Sequence, residues 1–217
     1  MSTVRLVLAR HGQTDSNVVH ALDSKPPGAP LNELGRAQAA ALGGRLVDDP
    51  VTAVYASWAI RAQQTAAPVA AAHDLPVTVI DDVHEIFCGD LEGRSDLTAR
   101  ELFAATYAAW WQGDLDAHLP GGESARELRA RFVPVLERIT DGVAGTVVLV
   151  SHGAAIRLAA AALLGDTAET AYVPNTGLVV LRREPADRSP ERWALEHWDP
   201  APAVPGDVTA GGEADGS

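Results

Sequence analysis

Two short runs, Val4 to Ala9 (VRLVLA) and Thr146 to Val150 (TVVLV), are apolar at nearly every position and rich in β-branched residues. A strand with one wet face alternates polar and apolar residues. A strand that is apolar throughout must be covered on both faces, as in the parallel sheets of layered α/β proteins. Both runs then break off into a histidine followed by a glycine, Arg10-His11-Gly12 and Ser151-His152-Gly153.

The rest of the chain fits that architecture. Asn32 is placed to cap a helix over Glu33 to Val47, and Val51 to Ala56 reads as a second strand. Ser57 is expected to cap a helix reaching His73, followed by a strand at Val77 to Ile80 and an ordered loop at Glu85 to Ser95. Helices are predicted over Thr98 to Trp111 and Glu123 to Thr140, the latter disturbed at Pro134. Gly153 to Leu164 reads as an Ala-rich helix closed by Gly165. Gly177 to Arg182 and Trp193 to Trp198 are expected to form an antiparallel pair at the sheet edge. The alternation implies a three-layer α/β/α fold with a mostly parallel central sheet. Residues 1–199 are expected to form one domain and residues 200–217, poor in anything to bury, a disordered tail.

The formal net charge is −12, which argues against a broad grip on nucleic acid or an acidic membrane. A bound anion must be held by a local cluster of cations. Lys25 is the only lysine among the 17 basic residues, so that task falls to arginines with their fixed, forked donors. Cys88 stands alone, excluding an intrachain disulfide and a cysteine-based zinc site. There is no 18-residue apolar run to span a membrane and no signal-type leader, so a cytoplasmic location is expected.

In a parallel sheet, ligands bind beyond the carboxyl ends of the strands. Four strand ends deliver Arg10 and His11, Arg61, Glu85, and His152 to one rim, with Gly153 opening a helix whose N–H groups favour an anion. Two imidazoles, two guanidiniums and a carboxylate suit phosphoryl transfer. One neutral imidazole serves as nucleophile, and the guanidiniums hold the non-bridging oxygens. A second, protonated imidazole donates to the phosphoryl group, and a carboxylic acid protonates the leaving alkoxide. No metal or cofactor is required. Asp81, Asp82 and Glu92 compete with Glu85 for the acid role on position alone.

The segments LARHGQTDSN, PLNELGRAQA, YASWAIRAQQTA, HEIFCGDLEG, PGGES and VLVSHGAAIR occur in that order between residues 4 and 165. In this they resemble the histidine phosphatase superfamily, the phosphoglycerate-mutase-like group with the Arg-His-Gly triplet. The resemblance implies a phosphoglycerate-mutase-like fold. It implies His11 as the phosphorylated nucleophile, and Arg10, Arg61, His152 and Asn17 as the phosphate pocket. It also selects Glu85 as proton donor and acceptor. One segment departs from the family pattern: Ser24 to Pro30 (SKPPGAP) lengthens the link after the triplet and is expected to lie over the pocket.

The implied activity is that of a histidine acid phosphatase-like phosphomonoesterase acting on a small phosphorylated metabolite. Mutase-type phosphoryl transfer and non-catalytic phosphate binding are the alternatives. Against the mutase, only 35 positions separate Glu85 from Pro120, and HEIFCGDLEG lacks the mutase-like Glu-Arg-x-Tyr-Gly pattern. Sugar phosphates, phosphoglycerate derivatives, nucleotide-like cofactor precursors and phosphopeptides all stay open as substrates, and a homodimer is admitted.

Overall fold

The computed structural model describes residues 3–165, 172–183 and 193–199. The strands are β1 (Val4–Arg10), β2 (Val51–Ser57), β3 (Val77–Ile80), β4 (Gly145–Ser151), β5 (Leu178–Arg183) and β6 (Trp193–Asp199). The helices are α1 (Asp15–Val18), α2 (Glu33–Arg45), α3 (Ile60–Ala72), α4 (Leu97–Trp111), α5 (Ala125–Thr140) and α6 (Gly153–Leu164). The strands form one sheet in the order β3-β2-β4-β1-β5-β6. The first four run parallel, β5 is antiparallel to β1, and β6 is antiparallel to β5.

The continuous apolar runs do what their composition requires. In β1, Leu6 and Leu8 enter the core under α4, α5 and α6, while Val7 and Ala9 enter the core under α2 and α3. In β4, Val147 and Leu149 face the first core, and Val148 and Val150 the second. Alternate residues thus serve opposite layers, and the sheet is a three-layer α/β/α sandwich with two cores.

The expected antiparallel pair is present at one end of the sheet, β5 joining it to β1 and β6 lying outermost. The LVVL run of β5, buried at every position, demands cover on both sides, so β6 takes the edge. Several local expectations need correction. Ser57 does not cap the helix after β2. Ala59 holds the N-cap position of α3 without a side-chain bond, and Ser57 is the last residue of β2. α5 runs unbroken through Pro134, because Leu128, Phe132, Val135, Leu136 and Ile139 bury one continuous face and outweigh the lost backbone bond. It begins at Ala125, not Glu123, since Ser124 and Glu127 form a capping box. The expected tail, residues 200–217, lies outside the described residues.

Candidate active site

Strand register brings the two histidines together. In the β1–β4 ladder Arg10 is paired with Ser151, so the next residue on each strand, His11 and His152, leaves the sheet side by side. The His11 amide donates to the Ser151 carbonyl at 3.0 Å, and the two rings stand 5.2 Å apart at 61°. Gly12 can follow because α2 begins with Gly35 nearby: a Cβ on Gly12 would lie 2.6 Å from the Gly35 carbonyl oxygen.

A cavity of ≈ 170 Å³ opens over this strand end, lined by Arg10, His11, Asn17, Arg61 and Glu85 among others. Those five predicted residues share one hollow. His152 and Gly153 do not line it. His152 is 1% exposed and lies behind Arg61, while Gly153 borders an adjoining cleft, where the Arg10 side chain crosses it.

His11 is buried and its tautomer is set from both ends. Nδ1 lies 2.7 Å from the Gly12 carbonyl oxygen, which only accepts, so Nδ1 carries the proton. Nε2 accepts from Arg61 Nε at 3.2 Å and therefore holds the lone pair. Burial, then the charges of Arg61 and Arg10, push the His11 pKa well below the ordinary imidazole value. The ring is neutral and its lone pair looks toward the cations.

Arg61 is 2% exposed and stands in the first turn of α3. Its Nη2 donates to the Asp23 carbonyl at 2.7 Å, and Asp23 Oδ2 lies 3.4 Å from Nη1. Arg10 Nη1 donates to the Tyr172 hydroxyl at 2.7 Å and the Val173 carbonyl at 2.9 Å. Arg61 Nη1 and Arg10 Nε are buried with no hydrogen-bond acceptor among the described residues. Buried donors without acceptors are costly, and the two side chains that carry them line the cavity.

Burial, reinforced by Arg61 and His11, holds the pKa of His152 well below the ordinary value. Its Nε2 is 2.7 Å from Ser57 Oγ and its Nδ1 3.4 Å from Arg61 Nη2. The Ser57 hydroxyl thus orients a site imidazole instead of capping a helix.

Glu85 is placed from three directions. The Ser151 hydroxyl donates to the Val83 carbonyl at 2.7 Å. Arg131 of α5 donates to the carbonyls of Asp82, His84 and Glu85 at 2.9, 3.0 and 3.0 Å, and is itself paired with Glu123 at 2.7 Å. The carboxylate then accepts from the amides of Ile86 and Ala155 at 2.9 Å and of Ala154 at 3.3 Å. The start of α6 therefore holds the protein's own carboxylate, where the sequence suggested a bound anion.

Asn17 both caps and lines. Its Oδ1 accepts from the Thr14 amide at 3.1 Å and from Asn175 Nδ2 at 3.3 Å, and the residue borders the cavity. The Ser24–Pro30 loop lies against Arg61: Gly28 approaches so closely that a Cβ there would meet Arg61 Nη1 at 2.0 Å. Glu92 anchors that loop, accepting from the amides of Ser24 and Lys25 at 2.9 and 3.0 Å and from the Ser24 hydroxyl. Cys88 is buried, and burial pushes its thiol up to about 12, which leaves it unreactive.

Asp23, Phe103, Tyr172 and Asn175 escaped the sequence reading. Asn175 and Thr176 reach the site because β5 runs antiparallel to β1, so the turn before β5 meets the end of β1. Asn175 Nδ2 donates to the His11 carbonyl at 2.9 Å. The Pro174-Asn175-Thr176-Gly177 turn was the available signal, once β5 is placed beside β1.

The chain belongs to the histidine phosphatase superfamily (branch 1), whose family model matches residues 6–196. It is 33% identical over 166 residues to the adenosylcobalamin/alpha-ribazole phosphatase of Salmonella typhimurium, covering 74% of this chain and 80% of that one. It is 30% identical to the glucosyl-3-phosphoglycerate phosphatase of Mycolicibacterium vanbaalenii, covering 96% of this chain and all of the relative. A 2,3-bisphosphoglycerate-dependent phosphoglycerate mutase of Methylobacterium sp. is 32% identical over 86% of this chain and 94% of its own length. Among solved structures, a mycobacterial glucosyl-3-phosphoglycerate phosphatase complexed with VO3 superposes with a TM-score of 0.75 at 29% identity, over 90% of this chain and 99% of that one. The structural relatives share the phosphoglycerate-mutase-like fold expected from the sequence.

Proposed function

We propose that this chain hydrolyses a small phosphomonoester through a phosphohistidine on His11, with its positive charge supplied by Arg10 and Arg61. The observation that carries the reading is the His11 ring: Nδ1 is tied to the Gly12 carbonyl, and the Nε2 lone pair meets the Arg61 donor.

In this reading the substrate phosphate enters the cavity and its non-bridging oxygens accept from the guanidiniums of Arg61 and Arg10. Arg61 Nε yields the His11 lone pair as it turns to the phosphate. Nε2 attacks phosphorus, the bond to the leaving oxygen breaks with its electrons on that oxygen, and Glu85 supplies the proton. The phosphorylated ring keeps its Nδ1–H and becomes cationic, a charge that the Gly12 carbonyl stabilises. Water then attacks phosphorus, Glu85 takes its proton, and the P–N electron pair returns to Nε2. His152 accepts the proton of an incoming phosphomonoester monoanion, leaving imidazolium and dianion side by side.

The clefts beside Glu85 leave a path for water, which favours hydrolysis over a shielded mutase. The substrates named for the relatives, glucosyl-3-phosphoglycerate and alpha-ribazole phosphate, are the first to assay. A cytoplasmic setting is part of the proposal and accords with the single unpaired Cys88. The purified chain should release inorganic phosphate from p-nitrophenyl phosphate, and His11→Ala should remove at least about 10³-fold of that rate. Equal rates in both proteins, or phosphoglycerate interconversion far faster than phosphate release, would overturn it.

A further inference from the structure

Two clefts lead away from the cavity over His11. One runs past Asn17, His20 and Arg100 and has no part of Glu85 in its wall. The other, ≈ 210 Å³, has Glu85 in its wall with Tyr107, and shares Phe103 and Tyr172 with the first. The leaving-group oxygen must meet the Glu85 carboxylate to collect its proton, so the rest of the leaving group continues into the second cleft.

The rings there are held in place. Phe103 and Tyr107, one turn apart on α4, lie with their planes 15° apart and centroids separated by 5.8 Å. The Arg157 guanidinium stands 5.1 Å over the Tyr107 ring and 5.3 Å over Trp111, clamping that wall from α6. Tyr172 is anchored by its hydroxyl to Arg10 yet keeps 48% of its surface exposed. Preorganised aromatic surface beside a proton donor favours a flat apolar guest, which gains burial and ring packing without ordering new protein groups.

We infer that the substrate's leaving alcohol carries a flat unsaturated ring, which packs in the Phe103–Tyr107–Tyr172 cleft; the inference rests on the phosphatase reading above. The test uses esters whose alcohols have similar acidity, so that leaving-group chemistry does not decide the outcome. Wild-type kcat/KM for 2-phenylethyl phosphate should exceed that for n-propyl phosphate about tenfold, equivalent to about 1.4 kcal/mol of ring packing and burial. Phe103→Leu, which keeps an apolar side chain of comparable bulk, should reduce that ratio several-fold through KM. Binding of 2-phenylethylphosphonate and n-propylphosphonate, which cannot be hydrolysed, gives the same comparison without catalysis. A ring preference among the phosphonates with no hydrolysis of any ester would sink the phosphatase reading and leave the cleft assignment standing. Hydrolysis and binding without ring preference, or a preference unmoved in Phe103→Leu, would overturn the cleft assignment alone.

Discussion

Arg61 Nε donates to His11 Nε2 at 3.2 Å, so the guanidinium that lines the cavity also caps the lone pair assigned to attack. Arg61 is itself held by Asp23 and pressed by Gly28. The cations are thus in place before any anion enters, and the proposed attack requires Arg61 Nε to turn from His11 to the phosphate.

Replacing Arg61 should therefore be severe. Arg61→Ala is expected to lower kcat/KM by about 10²–10³-fold. Arg61→Lys should recover little, because an ammonium cannot address His11, Asp23 and an oxyanion in fixed directions. Steady-state kinetics with p-nitrophenyl phosphate decide it; a lysine variant near wild-type rates would contradict the assigned geometry.

The buried histidines set the pH behaviour. Burial first, then neighbouring charge, lowers the pKa values of His11 and His152 in the folded chain. In the proposed mechanism the neutral nucleophile therefore persists into acid, and the acidic limb of kcat/KM should fall below the ordinary imidazole range near 6.5. For stability the sign is also defined. Below about pH 6.5 the unfolded chain takes up protons that the folded imidazoles refuse, so folding weakens as pH falls. Thermal melts between pH 7.5 and 5.5 should show a declining Tm, less steep in His152→Asn. An acidic limb at or above 6.5, or a flat Tm, would contradict this.

Ser57 acts through His152, whose Nε2 it meets at 2.7 Å. Ser57→Ala should cut kcat about three- to tenfold, the worth of one hydrogen bond, with little change in KM. Ser57→Thr, which restores the hydroxyl, should recover much of the loss. Ring-nitrogen chemical shifts of His152 should change in Ser57→Ala; an unchanged spectrum would show that the hydroxyl does not set the tautomer.

Gly28→Ala should disturb Arg61 from outside the cavity. Gly28 has φ of +67°, and the added carbon would collide with Nη1. Strain of about 1 kcal/mol is expected, together with a rise in KM as the guanidinium shifts. An unaltered KM for p-nitrophenyl phosphate would mean that the loop does not govern Arg61.

Much of this was legible in the sequence. The apolar runs of β1 and β4 determined that both faces of the sheet are covered, and strand-end position located His11, Arg61 and His152. What escaped depends on tertiary pairing. The Asn175 contact exists only because β5 is antiparallel to β1, and the Arg131 bonds to residues 82–85 join elements 46 to 49 positions apart. The burial of His152 beside Arg61, which lowers its pKa, is likewise invisible in residue identity alone. Ser57 was taken for a cap because a serine before a helix usually is one.

The central claim, a covalent phosphoryl bond to His11 Nε2, is tested most directly by rapid quench. The chain is mixed with a phosphomonoester, trapped in alkali where phosphohistidine survives, and its peptides are analysed by mass spectrometry. The account predicts a transient phosphate on the peptide containing His11, attached at Nε2 and absent from His11→Ala. Turnover with no label on His11 at any quench time, or label on His152 instead, would contradict it.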